Sequence, residues 1–231
     1  MVIEKGDFIK IEYTGKREDG SVFDTTSKEI AEENKIYDEN VRYGEFPVVV
    51  GAGHTLIGLD EDFVGKEVGY EGNIEIPPEK GFGDRKPDLI KTYPISIFKD
   101  TKPFPGMQVN IENKYGVVTK VIGRRVRVDF NHQLAGKTLF YDYKIVEKIE
   151  DTREKIRSLI YLYAGKDMDI AIEDKKVTID VPSDLFLNSQ WLLLKSKIAT
   201  EILKYVNMEE VVFADRYTAE EYLKEEENKE T

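Results

Sequence analysis

The first 86 residues alternate between strand-like and helix-like patterns. In FIKIEYTG the side chains at positions 9, 11 and 13 fall on one face, and Asp19-Gly20 follows, so the pattern predicts two strands joined by a tight turn. Next come a short surface helix capped by Ser27 and a buried strand over 46–53. Apolar residues spaced three and four apart then predict a helix over 55–65, and EGNIEI predicts another strand.

The pattern changes between about 86 and 131, where apolar and polar residues alternate in three short runs. This alternation predicts three antiparallel strands. The segment is longer than the roughly 12 to 15 residues expected of a structureless loop, so we expect 87–131 to fold as a module of its own. A long strand over 138–150 then resumes the first region, and the module is therefore an insert.

A module this small has little interior, so part of its apolar strand face is expected to stay open to unfolded chains. Plain burial of the same face is the alternative. The expected client-binding residues are Met107, Val109, Val117, Val121, Val126 and Val128.

The last region, 151–231, mixes helix and strand patterns and predicts a separate α+β domain. A helix closed by Gly165, a hairpin, a second helix and a short strand follow one another, and the tail EEYLKEEENKET is expected to fray. The second helix carries more apolar residues than one face needs, which indicates either a homodimer formed through 151–231 or burial in its own core. Those residues are Trp191, Leu192, Leu194, Ile198, Ile202 and Tyr205.

The charge and the cysteine content narrow the function classes. A net charge of −11 opposes attraction to nucleic acid or to an anionic membrane, so neither is an expected partner. The chain has no run of about 18 apolar residues and no apolar signal core at its start. The absence of cysteine excludes thiol catalysis and agrees with a reducing compartment. We therefore expect a cytoplasmic protein.

Three glycines near His54 raise the question of a phosphate loop or a hydrolytic site. After Gly51 and Gly53, the third glycine of a dinucleotide fingerprint is replaced by Leu56, and no G-x-S-x-G motif occurs. The only other histidine lies far along the chain, so no metal site is recognisable. We expect no cofactor and no metal, interpret His54 as a surface turn residue, and assign the glycines to a tight turn between strand and helix.

Four blocks, taken together, resemble a known family in their order and spacing. They are YTGKREDGSVFDTT, FPVVVGAGHTLIGLDEDFVGKEVG, IPPEKGFG and LAGKTLFYDYKIVEKIE, and they look like successive segments of an FKBP-type peptidyl-prolyl cis-trans isomerase. The insert resembles the insert-in-flap domain of SlyD-like members, and the layout is similar to the long archaeal type. The metal-binding tail of SlyD has no counterpart here, so metal binding is not implied.

The resemblance implies an α+β fold. An FKBP-like antiparallel half-barrel sheet wrapping a short helix would be built from 1–86 and 132–150. A small all-β domain would be inserted over 87–131, and a C-terminal α+β domain would follow over 151–231.

The resemblance also implies an aromatic pocket between the sheet and the helix. Within it, Asp24 would orient the pocket through Tyr13 or through a contact on the carbonyl side of the substrate, and the backbone N–H of Leu56 would hold the peptide. Two positions depart from the family pattern, because Leu59 replaces the usual indole and Thr55 replaces the usual valine. The implied site residues are Tyr13, Phe23, Asp24, Phe46, Thr55, Leu56, Leu59, Phe82 and Tyr141.

Such residues suit one reaction that needs no reactive group. Rotation about a peptide bond faces a barrier of roughly 18 to 20 kcal/mol, and X-Pro bonds interconvert slowly. The twisted transition state is less polar than the planar amide, so a dry apolar pocket favours it. The expected function is isomerisation of X-Pro bonds in unfolded chains, with chaperone activity from the insert. The alternative is a non-catalytic holdase or peptide-binding module on the same fold.

Overall fold

The computed structural model describes residues 1–98 and 101–218. The tail expected to fray lies outside the described residues. The elements of the first region are β1 (Phe8–Arg17), β2 (Val22–Thr25), α1 (Lys28–Glu33), β3 (Phe46–Val49), α2 (Ile57–Asp62) and β4 (Glu71–Ile76). The insert contains β5 (Ile90–Pro94), β6 (Gln108–Ile111), β7 (Lys114–Ile122) and β8 (Arg125–Asp129), and the chain then returns in β9 (Leu139–Ile149).

The first region and β9 form one antiparallel sheet with β1 at its centre. One edge of β1 pairs with β3 and then with β2, the other edge pairs with β9, and β9 pairs with β4. The predicted helix over 55–65 is shorter than expected, at Ile57–Asp62. It lies against β4 so closely that a Cβ on Gly58 would come within 2.9 Å of Ile76, so this glycine permits the contact.

The insert forms a four-stranded antiparallel sheet of its own, in the order β5-β8-β7-β6. The three predicted strands are present. The fourth, β5, was not predicted, because its sequence IKTYP contains a proline and shows no alternation. The core of the insert is formed by Val118, Val126 and Val128, which are all fully buried.

The last region contains α3 (Thr152–Ala164), β10 (Ile170–Glu173), β11 (Lys176–Val181), α4 (Ser189–Tyr205) and β12 (Glu210–Asp215). The strands lie in the order β10-β11-β12, with β12 parallel to β11. As expected, α3 ends at Gly165, which adopts a left-handed conformation. Phe8, Val49 and Ile149 of the first region belong to the same buried cluster as the two helices, so the core continues from one region into the other.

The apolar residues of α4 divide between two faces. Trp191, Ile198 and Ile202 are buried in the core, whereas the side chains of Leu192 and Leu193 are 63% and 74% exposed. Within 1–98 and 101–218, no helix has both the length and the apolar character that crossing a membrane requires.

Candidate active site

An aromatic cluster occupies one face of the central sheet. Tyr13 of β1 lies between Phe46 of β3 and Tyr141 of β9, with ring centroids 6.3 Å and 5.7 Å away. Phe23 of β2 meets Tyr141 edge to face at 5.8 Å. Leu59 of α2 is buried in the same cluster and Leu56 packs against it, so four strands and a helix contribute to one apolar site.

A β-bulge brings two consecutive residues of β2 to this face. Gly15 of β1 pairs with Asp24, but the next residue, Lys16, pairs with Val22, so Phe23 is an extra residue on β2. Side chains of successive strand residues normally point to opposite faces, and a bulge removes that alternation locally. Both the Phe23 ring and the Asp24 carboxylate therefore reach the cluster.

Gly15 lies beneath these side chains and leaves them their space. It pairs with Tyr141 on one side and Asp24 on the other. A Cβ at this position would come within 2.8 Å of the Phe23 ring and 3.0 Å of the Tyr141 ring. Gly15 was not among the predicted site residues, because a glycine in a strand does not reveal which rings approach it.

We expect Gly15→Ala to lower kcat/KM for an X-Pro tetrapeptide, because the new methyl group must displace Phe23 or Tyr141 from the cluster. The loss should be about tenfold or more, since overpacking of a tight site costs about 1 to 3 kcal/mol. A protease-coupled tetrapeptide assay measures it, with thermal melting in parallel to show that the variant is folded. Wild-type turnover by a folded Gly15→Ala variant would contradict this role.

Asp24 supplies a carboxylate at the edge of the aromatic cluster. Its Oδ2 accepts a hydrogen bond from the Tyr13 hydroxyl at 3.0 Å. Partial burial of the Asp24 carboxyl raises its pKa, an effect that the hydrogen bond from Tyr13 opposes. Burial and the nearby Asp24 charge together raise the pKa of Tyr13, so its hydroxyl stays protonated and donates. The contact joins Asp24 to Tyr13, and the orienting role of Asp24 stays a prediction.

The loop between β3 and α2 contains Gly51 and Gly53, and its conformation explains why glycines occupy these two positions. Gly51 and Gly53 adopt positive φ angles of 81° and 77°, which favour glycine. Their N–H groups donate to the two carboxylate oxygens of Asp60, at 2.8 Å and 3.2 Å. The loop then delivers Thr55 and Leu56 to the start of α2, where the N-cap position gives the Leu56 N–H no partner within the helix. The Thr55 hydroxyl is buried, and no described residue accepts or donates a hydrogen bond to it.

The interpretation of His54 as a surface turn residue is wrong. Only 7% of its side chain is exposed, and its ring lies between the β3–α2 loop and the last region of the chain. Nδ1 accepts a hydrogen bond from the Val49 N–H at 3.1 Å, and Nε2 lies 2.9 Å from the Glu201 carboxylate on α4. No local pattern in the sequence indicates this contact, because the two residues are 147 positions apart.

Phe82 joins the site from the segment that leads into the insert. Its side chain packs against the cluster, and its ring stacks on His132, which follows the insert, with centroids 4.3 Å apart. The two connecting segments are also joined by Asn131, whose side chain accepts from the Lys86 N–H at 2.8 Å and donates to the Lys86 carbonyl at 3.0 Å. The insert is thus attached by two adjacent and paired segments.

A partly buried ion pair stabilises this junction. Arg85 contacts the carboxylate of Asp129, whose side chain is 3% exposed and also accepts hydrogen bonds from Asn131. Burial alone would raise the pKa of Asp129, but the hydrogen bonds from Asn131 and Arg85 outweigh it and hold the pKa below its ordinary value.

Arg85→Ala is expected to destabilise the insert by about 2 to 4 kcal/mol, because it leaves the buried Asp129 charge without its cation. Because the pKa of Asp129 is lowered in the folded state, its ionised carboxylate stabilises the fold above pH 3.8, the ordinary pKa of the group. This stabilisation is lost as the pH falls through the folded-state pKa. The loss of stability in Arg85→Ala should therefore reach its full size at pH 7 and be smaller below pH 3.8. Hydrogen exchange of β8 amides measures it.

Lys80→Ala is the matched control for this prediction. It removes the Lys80–Glu61 ion pair, whose side chains are 50% and 57% exposed, and should cost less than about 1 kcal/mol. Equal protection of β8 in Arg85→Ala and Lys80→Ala would contradict the role of the junction.

The insert exposes a different apolar set from the one expected. The prediction that Val126 and Val128 bind clients is wrong, because both are fully buried in the core of the insert. Met107, Val109, Val117 and Val121 are half-buried. The exposed large apolar side chains include Phe104 at 59%, Tyr115 at 81% and Ile122 at 61%, which lie at turns and strand ends that the alternation pattern does not single out.

The described part of the chain contains no group of three or more His, Asp or Glu side chains that could hold a metal ion. The site is a cluster of aromatic rings on one face of the central sheet, with the Asp24 carboxylate at its edge and the smaller sheet of the insert attached next to Phe82.

Comparisons with known proteins show which family the chain belongs to. The model of the family described as FKBP-type peptidyl-prolyl cis-trans isomerase matches residues 2–99, the model described as FKBP26, IF domain matches 91–134, and the model described as FKBP26_C-terminal matches 152–218.

A short-type peptidyl-prolyl cis-trans isomerase of Methanocaldococcus jannaschii is 40% identical over 146 residues, which cover 62% of this chain and 92% of the relative. SlyD of Haemophilus influenzae is 27% identical over 161 residues, covering 68% of this chain and 77% of the relative. SlyD of Treponema pallidum is 27% identical over 158 residues, covering 66% and 82%. The chain belongs to the FKBP-type peptidyl-prolyl cis-trans isomerases.

Proposed function

We propose that the aromatic cluster around Tyr13 is the site at which this isomerase turns X-Pro bonds of unfolded or partly folded polypeptides. The observation that supports this most is the joint geometry of Tyr13, Asp24, Phe46 and Tyr141, four residues from four strands within one set of contacts. The proposed site also includes Phe23, Thr55, Leu56, Leu59 and Phe82.

The rings accelerate rotation by excluding water from the amide. A planar X-Pro amide is more polar than the twisted state, so moving it from water to an aromatic surface costs more for the ground state than for the transition state. Each 1.4 kcal/mol of this difference gives a factor of about ten in rate. The Tyr13–Asp24 hydrogen bond fixes the ring that separates Phe46 from Tyr141. The Leu56 N–H, at the N-cap of α2, has no partner within the helix and is available to donate to a peptide carbonyl.

The insert, with predicted limits 87–131, captures apolar segments and presents them to the neighbouring cluster. Its exposed apolar side chains and its attachment next to Phe82 support this division of labour. A tethered second site raises the effective concentration of the bound chain, which reduces the need for sequence specificity at the cluster.

Two further parts of the proposal concern the assembly and the location of the chain. Exposed Leu187, Leu192 and Leu193, at and before the start of α4, support a homodimer through 151–231, which sedimentation velocity of the full chain tests. A cytoplasmic location is proposed from the cysteine-free sequence.

The test of the proposed function combines two assays on the full chain. One measures isomerisation of a tetrapeptide by protease coupling, and the other measures refolding of a protein limited by proline isomerisation. We expect acceleration in both. Suppression of aggregation without acceleration of the tetrapeptide would favour the alternative, a non-catalytic holdase on the same fold.

A further inference from the structure

The loop that carries Thr55 and Leu56 is anchored from two sides. On the inner side, Asp60 of α2 accepts hydrogen bonds from Gly51 and Gly53. On the outer side, His54 reaches α4 of the last region, which lies outside the sheet that holds the aromatic cluster. The residue next to the proposed peptide-binding segment is therefore held by a different domain.

The contacts of His54 fix both its orientation and its tautomer. Because Nδ1 accepts the Val49 N–H, the proton of the neutral ring lies on Nε2 and is donated to Glu201 Oε2. The Tyr163 hydroxyl of α3 donates to the other carboxylate oxygen, Oε1, and the Tyr163 ring meets the His54 ring edge to face with centroids 5.9 Å apart. Every polar atom of the His54 ring and both oxygens of Glu201 are thus used.

This three-residue contact is mostly shielded from water. The side chains of His54 and Glu201 are 7% and 16% exposed. Hydrogen bonds to a charged group in such surroundings contribute more than exposed ones, and an imidazole that lost its carboxylate would retain an unpaired buried donor. The contact therefore resists rearrangement of the loop.

The chain segment before Phe46 also contacts the C-terminal region. The Arg42 guanidinium lies 4.9 Å from the Tyr161 ring of α3 and 3.6 Å from the Asp167 carboxylate. Val49 is buried in the core of the last region. Both chain segments that flank β3 thus rest on the C-terminal region.

We propose that His54, together with Glu201 and Tyr163, is a positioning residue for the peptide-binding segment Thr55-Leu56, through which the C-terminal region sets the affinity of the isomerase for its peptide. This inference rests on the proposed function of the aromatic cluster. His54 acts through its neighbours and does not touch the peptide. The aromatic cluster is built from residues of the first region and β9, so we expect the C-terminal region to act on binding and not on the bond rotation itself.

The test measures KM and kcat separately for His54→Ala, Glu201→Ala and the double variant in the full chain. We expect each single variant to raise KM about five- to tenfold with kcat within about twofold of wild type, the range typical of coupling between sites. The double variant should raise KM no further than either single variant, because one interaction is lost in all three. Glu201→Gln retains one acceptor oxygen for the His54 Nε2–H but loses the charge and the second acceptor, so it should raise KM less than Glu201→Ala.

Glu210→Ala is the control, because it removes an exposed ion pair with Lys176 in the same domain and contacts neither His54 nor the loop. Tyr163→Phe provides a variant that keeps the packing and removes one hydrogen bond, and it carries the test if His54→Ala does not fold. Unchanged KM in the single variants, additive effects in the double variant, or an equal change in Glu210→Ala would each overturn the proposal. Absence of turnover in the wild type would instead overturn the proposed function, so the two failures are distinguishable.

Discussion

Asp24→Ala is expected to lower kcat/KM for an X-Pro tetrapeptide by about 10- to 100-fold. The carboxylate is the acceptor for the Tyr13 hydroxyl at 3.0 Å, and losing a hydrogen bond to a charged group costs about 1.5 to 3 kcal/mol. The variant should remain folded, because Asp24 lies at the exposed edge of the cluster, where substitutions seldom cost much stability. The protease-coupled assay and thermal melting provide the two readings.

Asp142→Ala is the matched control for this loss. Asp142 is another carboxylate of the same sheet, but it pairs with Lys16 in an exposed position, and its removal should leave kcat/KM within about twofold of wild type. Tyr13→Phe removes the other half of the hydrogen bond. We expect the Tyr13→Phe/Asp24→Ala double variant to lose little more than Asp24→Ala, since the two groups share one interaction. Fully additive losses would show that Asp24 acts on something other than Tyr13.

Removal of the insert should separate the two activities. The described structure permits a clean deletion, because the Gly136 N–H donates to the Gly83 carbonyl at 2.8 Å and so holds the two retained segments adjacent. Without 87–131, turnover of a tetrapeptide should persist, while acceleration of a proline-limited refolding reaction should fall by about 100-fold, the scale of a lost second attachment site. Rates of both reactions with equal enzyme concentrations measure the split.

A surface variant of the full chain controls for disturbance of the site by the deletion. Phe104, Tyr115 and Ile122 are exposed, so replacing all three with serine should leave the sheet of the insert intact and weaken capture of apolar segments. We expect the same selective loss of refolding activity. If the deletion reduces both reactions equally, or the serine variant reduces neither, the division of labour is wrong.

Much of the fold followed from local patterns in the sequence. The alternation along β1 and β9, the Ser27 cap of α1 and the Gly165 end of α3 are all properties of neighbouring residues, and the structure contains each of them. The strand β5 was missed because its pairing with β8 comes from tertiary context and its sequence shows no period.

The site itself was only partly visible from the sequence. The resemblance indicated the aromatic residues, and the structure joins them in one cluster. Gly15 and His54 were missed or misread because their roles depend on residues far along the chain, namely Tyr141 and Glu201. Val126 and Val128 were expected to be open, but a four-stranded sheet provides more interior than the three strands that were predicted.

The central claim is that a water-excluding aromatic surface turns the X-Pro bond without proton transfer to or from a side chain. Its most direct test is the tetrapeptide assay of the wild-type chain in H₂O and in D₂O. We expect clear acceleration over the uncatalysed reaction and the same kcat/KM in both solvents. No acceleration, or a rate in D₂O reduced by about twofold or more, as expected of general acid–base catalysis, would contradict it.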